Sequence, residues 1–195
     1  MNKTEPILVI IAILSFLLSF SSIPGQNLLF VFAFMILSIL YFWLGFAIFN
    51  NIGFRKIFNR ESYRNISQSK IIGAVGAGVS ISLTMIGILF TAMFWPGSGA
   101  NLMLGLIGLA VVCIISFIKN SNQKSEYYSK ILNRSMIFGI IGIVLMFVPY
   151  TMLAEIKYRN DPKYRDALIN TIKEPNNEEF HKKFVEESQR REQGQ

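Results

Sequence analysis

Charge is missing from this chain over long distances. No Asp, Glu, Lys, Arg or His lies between Glu5 and Arg55, between Lys70 and Lys119, or between Arg134 and Glu155. Charged residues make up 16% of the chain and apolar ones 52%, and the two classes are segregated along it. That excludes an ordinary soluble fold, whose core helices cannot use apolar stretches so long. A bilayer core about 30 Å thick, by contrast, calls for about 20 such residues per helix.

Other shortages narrow the chemistry. Cys113 is the only cysteine, so no intramolecular disulfide can form, and its place in an apolar run reads as a small buried residue. His181 is the only histidine and sits in a charged stretch, with no second His, Cys or spaced acid to complete a metal site. No nucleophile with a base, and no paired carboxylates in a plausible pocket, can be assembled. The expectation is a protein without catalytic, cofactor or metal sites. Proton relays and ion-coupled transporters place an ionisable side chain in the membrane despite its cost, and no apolar segment here carries one. The polar atoms there include the hydroxyls of Tyr41, Tyr150, Ser80, Ser82, Thr84 and Thr91, which ordinarily bond a neighbouring helix or their own backbone.

What remains predicts an all-α integral membrane protein with five transmembrane helices, at about 7–23, 28–50, 71–95, 102–118 and 136–153. Each must be helical, because lipid cannot satisfy a bare peptide group. Residues 1–154 form the bundle and 155–195 a charged helical tail. The net charge of +7 resides in two connections: Arg55, Lys56, Arg60, Arg64 and Lys70 against Glu61, and Lys119, Lys124, Lys130 and Arg134 against Glu126. The tail holds nine basic and nine acidic residues and is neutral. A charge so placed is a topology signal before it is a nucleic-acid signal. Basic short loops stay cytoplasmic, which puts the amino terminus inside and the tail outside a bacterial-type cytoplasmic membrane. Lys157 and Arg159, just past the fifth segment, oppose that orientation. The same basic residues could also hold anionic lipid head groups, at about 1 kcal/mol each near the surface.

The other two connections are uncharged Pro-Gly turns. Pro24-Gly25-Gln26-Asn27-Leu28-Leu29 is echoed by Pro96-Gly97 and then Asn101-Leu102-Met103. Each lies between two helices and is followed by a basic, tyrosine-bearing loop, which suggests two hairpins in tandem plus a fifth helix. The first segment also reads as a cleaved signal peptide, with Ser19 and Ser21 placed for cleavage before Ser22; the repeat argues for its retention.

Small residues crowd the third helix. Gly73, Ala74, Gly76, Gly78, Ser80 and Ser82 recur at four-residue spacings, which lets another helix approach closely. No strand precedes them, as a nucleotide-binding glycine loop would need. Trp95 and Tyr150 read as interface anchors and Pro149 as a kink inside the last span. In the tail, Asp161-Pro162 starts one helix and Pro175-Asn176-Asn177 ends it. The next helix orders four Glu-to-basic pairs at i,i+4 and puts Phe180 and Phe184 on one face, where a partner could dock.

The stretch Ile86-Gly87-Ile88-Leu89-Phe90-Thr91-Ala92-Met93-Phe94-Trp95-Pro96-Gly97, with Asn101-Leu102-Met103-Leu104-Gly105-Leu106-Ile107, resembles the two-helix membrane hairpin of the gliding-motility motor membrane subunit and related small membrane proteins. The resemblance implies a hairpin suited to close packing. Motors of that family couple proton flow through an acidic residue within the membrane, and with none in any segment here that activity does not carry over. The functional expectation is a non-catalytic accessory or scaffold subunit of a membrane complex, contacting lipid and other membrane proteins through its tail or small-residue face. The alternative is a passive channel or small-solute transporter, which would need a wet cavity lined by Ser80, Ser82, Thr84 and Tyr41.

Overall fold

The computed structural model describes residues 4–193 other than 22, 24 and 123, and all its regular structure is helical. Eight α-helices follow in order: α1 (Thr4–Leu18), α2 (Gln26–Phe49), α3 (Gln68–Met93), α4 (Ser98–Asn122), α5 (Glu126–Phe147), α6 (Tyr150–Lys157), α7 (Pro162–Lys173) and α8 (Glu178–Glu192). Four of them, α2 to α5, are long and apolar enough to cross a membrane, which makes this a multi-pass membrane protein in contact with lipid. The 15 residues of α1 are as apolar, but at 1.5 Å per residue they rise about 22 Å, less than the hydrocarbon core. The proposed cleavage site at Ser22, and Pro24 of the first turn, lie outside the described residues.

Three boundaries differ from the sequence reading, each for a local reason. The fifth span, expected as one kinked helix over 136–153, is two helices. Pro149 lacks the N–H that would continue α5 and pushes Val148 into an extended conformation (φ −77°, ψ 123°), so α5 stops and α6 starts afresh. The second basic loop, expected over 119–134, is only the short connection between Asn122 and Glu126; of its charges Lys124 alone lies outside a helix, with Lys119 in the last turn of α4 and Glu126, Lys130 and Arg134 in α5. Charged side chains leave a helix intact while ending its apolar stretch, so a charge gap understates helix length. The fourth helix begins at Ser98 rather than at Leu102 for a different reason: the turn ends at Gly97, whose carbonyl already accepts the Asn101 N–H, so residues 98–101 are helical. Both turns keep their glycine left-handed, Gly25 at φ 78° and Gly97 at φ 79°, a conformation that excludes most side chains.

α3 is the hub. It packs against α2 on one side and α4 on the other, and also meets α5, while α1 leans on α2. Its buried face is continuous from Ala74 to Ala92. Around it lies one core built from Phe30, Phe34, Tyr41, Met85, Ile88 and Phe138. A second, smaller cluster joins Ala154 and Tyr158 to Leu168 and Ile169 of α7, with Phe94, Tyr164 and Phe184 packed on it. The tail therefore folds onto the end of the bundle that carries the Pro-Gly turns, called the tail end below. The opposite end carries the basic connections.

Candidate functional site

The small-residue face divides when its neighbours are known. A Cβ on Gly78 would collide with the Tyr41 carbonyl oxygen and lie 3.1 Å from Gly45 Cα, so α2 and α3 cross here backbone to backbone. Ala74 is fully buried at the same crossing. Gly73 approaches Tyr127 Oη, but a Cβ on Gly76 would meet nothing within 4 Å, so Gly76 takes no part in this contact. On the other flank of α3, Gly87 faces the Leu102 backbone and Gly105 faces Thr84, a second close seam. Sequence spacing had singled out only the first.

The hydroxyls that a conduction path would need are engaged. Ser82 Oγ and Ser38 Oγ share a 2.8 Å hydrogen bond between α3 and α2. Thr84 donates to the Ser80 carbonyl and Ser80 to that of Gly76, both at 2.9 Å. Tyr41 donates to Glu5.

That last bond belongs to a cluster the sequence did not reveal. Glu5, at the start of α1, is buried and takes a bidentate ion pair from Arg134 of α5, with Nε–Oε1 at 2.6 Å and Nη2–Oε2 at 2.8 Å. Both had been read as charges flanking the spans. The fold turns them inward, and two parallel bonds plus the Tyr41 phenol satisfy the carboxylate. Arg134 is thereby withdrawn from the basic residues available to lipid head groups. Arg55, Lys56, Arg60, Arg64, Lys119 and Lys124 remain exposed. Lys70 lies beside the Tyr127 ring, and Lys130 bonds Asn51 and stands 3.6 Å from Glu126.

At the tail end, α6 delivers a second buried charge. Lys157 is 5% exposed, and its Nζ donates to the Ala92 carbonyl at 2.6 Å and approaches Met93 Sδ at 3.3 Å. Ala92 is in the last turn of α3, where carbonyls have no helical partner, so an ammonium here both caps the helix and meets the negative end of its dipole. Among the described residues no carboxylate pairs with Lys157. Burial, with nearby Arg191 adding to it, lowers this amine from its ordinary 10.5 to about 8.

Around Lys157 the tail builds a polar wall. Arg191 stacks on Tyr158 and Tyr164, 4.8 and 4.4 Å from the ring centroids. Asp161 caps α7 through the Tyr164 amide and also holds Arg190 at 2.7 Å and Arg191 at 3.3 Å. The arginines thus bridge α8 to the start of α7, whereas the four-residue spacing along α8 pairs Arg190 with Glu186 and Arg191 with Glu187. Arg190 bonds Glu187 three residues back. Phe184 packs on Tyr164 within the tail, centroids 5.5 Å apart, and Phe180 is half-buried beside it on α8.

Between this wall and the α1–α2 turn lies a cleft of about 1040 Å³, at the upper end of the ~300–1,000 Å³ usual for ligand sites. Ile23, Leu28, Val31, Met93 and Trp95 give it an apolar floor, and Asn27, Lys157, Tyr158, Asp161 and Arg191 a polar rim. Asn27 Oδ1 is buried there without a hydrogen-bond partner. Among the described residues no three His, Cys, Asp or Glu side chains gather as metal ligands would. No family model, curated protein or solved structure matches this chain.

Proposed function

We propose that this is a non-catalytic multi-pass protein, an accessory or scaffold subunit of a membrane complex. In this reading α1 crosses with the other four helices, so that five spans place the amino terminus and basic connections in the cytoplasm and the tail outside, as short basic loops favour. The single observation that carries the reading is the closed interior. Ser80, Ser82, Thr84 and Tyr41, the side chains that would line a path, are bonded within the packing, and the α2–α3 and α3–α4 crossings leave no room for a Cβ. Function then falls to the surfaces, and the tail offers one, with Phe180 half-buried and Val185 48% exposed on α8.

Purification in mild detergent tests this directly. Val185→Asp and Phe180→Ala should release a co-purifying membrane protein while leaving Phe184 seated and expression normal. A chain that runs alone before and after substitution, and that conducts small solutes in sealed vesicles, would be a channel instead. The orientation has its own test. With Cys113 replaced, cysteines at Ser62 and Ser125 should resist an impermeant thiol reagent in intact cells while one at Ala100, exposed beside the second Pro-Gly turn, reacts. The reverse pattern inverts the topology.

A further inference from the structure

The tail-end cleft combines three things that a scaffold does not require. Its rim carries more positive than negative charge: Lys157 and Arg191 are gathered there against Asp161. Lys157 is the uncompensated member, buried against a carbonyl and a thioether rather than a carboxylate. On the same cleft, the Asn27 side-chain oxygen is a buried acceptor lacking a donor, a condition that costs free energy unless something supplies one. An anion with a hydroxyl attached would meet both needs.

The floor says what else the ligand carries. Leu28, 63% exposed, belongs to the cleft and also begins a stripe with Phe32, Met35 and Ile39 along one face of α2. These residues, spaced four, three and four apart, are all exposed and descend about 16 Å along the helix. The cleft thus opens sideways onto an apolar track on a helix that meets lipid, at the level where Trp95 sits. A soluble anion would have no use for that track, whereas an acyl chain would lie along it.

We propose that the cleft holds the headgroup of an anionic phospholipid, with its phosphate at Lys157 and Arg191, a headgroup hydroxyl at Asn27 Oδ1, and an acyl chain on the Leu28–Ile39 stripe. The site is separate from the exposed basic residues at the other end of the bundle, and it stands whether or not the scaffold reading does.

The test uses the full chain reconstituted in phosphatidylcholine vesicles with and without phosphatidylglycerol, then extracted in mild detergent for native mass spectrometry. The expected result is one retained phosphatidylglycerol per chain. Lys157→Met should weaken retention by about fivefold or more, the contribution of one basic residue near a membrane surface. Leu28→Trp, at an exposed position that leaves the packed core alone, should obstruct the cleft and have the same effect. Arg55→Ala with Lys56→Ala should leave the retained lipid in place. A parent protein that carries no phosphatidylglycerol, or a Leu28→Trp protein that keeps it fully, would overturn the proposal. Displacement of the lipid by equimolar glycerol phosphate would overturn the lipid assignment in favour of a soluble phosphate ester.

Discussion

Two charges are buried at opposite ends of one bundle, and the fold accommodates them by opposite means. Glu5 at the basic end is met by another full charge, Arg134, in a bidentate pair with Tyr41 completing its shell. Lys157 at the tail end is met by a dipole, the open carbonyl end of α3. The first solution neutralises the site and closes it. The second leaves a net positive charge inside the protein, at the edge of a cleft. A buried ion pair contributes little net stability but is expensive to break from one side, so the basic end should be brittle and the tail end adjustable.

The largest effect is therefore expected from halving the pair. Glu5→Gln or Arg134→Met should each cost about 3–5 kcal/mol, because each strands a buried charge. The double variant should lose less than the sum, which thermal melts in detergent would show as a coupling. Purely additive losses would mean that solvent or lipid phosphate already screens the pair.

Gly78→Leu attacks the same end through the backbone, since its side chain would be driven into the Tyr41 carbonyl that it now faces. A loss of about 1–3 kcal/mol is expected, against almost none for Gly76→Leu two residues away, where space is open. Equal tolerance of the two substitutions in the melting assay would remove the α2–α3 crossing from the account.

Lys157→Met should cost about 1–3 kcal/mol by leaving the Ala92 carbonyl without its donor. Its pH signature separates it from the Glu5 pair. The native amine lies near 8 and the unfolded one near its ordinary 10.5. Between those values the unfolded chain holds the extra proton, so this residue makes stability rise with pH across the window. Melts of the parent and Lys157→Met compared from pH 7 upward should differ by that slope. Parallel profiles would show an amine with its ordinary affinity for protons.

The smallest change is expected in the tail's own ion pairs. Asp161→Asn keeps a capping side chain for α7 but loosens Arg190 and Arg191, and because these pairs are only half-buried the loss should be under about 1 kcal/mol. A larger loss would mark the arginine bridge as the main clasp of the tail.

Much of this architecture could be read before any coordinates. The charge gaps gave the long helices, Asp161-Pro162 gave the start of α7, and Asn176-Asn177 the break before α8, because caps and breakers act within a few residues of themselves. The crossing at Gly78 followed from spacing along one helix. The second seam did not, because Gly87 and Gly105 acquire meaning only when α3 and α4 are laid together. Nor did either buried charge. Glu5 and Arg134 are 129 positions apart, and each stands at the border of an apolar stretch, where a charge ordinarily marks the water boundary. Lys157 looked like a topological irregularity, two residues past the Glu155 that ends the last charge-free stretch, and only the position of the α3 terminus explains it.

Ribosomes make this chain from one end, and Lys157 emerges late. The carbonyl it covers belongs to Ala92, 65 residues earlier, in the helix on which every later helix of the bundle depends. Arg134 likewise trails the carboxylate it neutralises. During synthesis, then, the far end of α3 stays uncovered until Lys157 follows, and the Glu5 acid stays unpartnered until Arg134 does. A chain stopped before residue 134 would leave both the Glu5 carboxylate and the Ala92 carbonyl uncovered, and one stopped between 134 and 157 only the carbonyl.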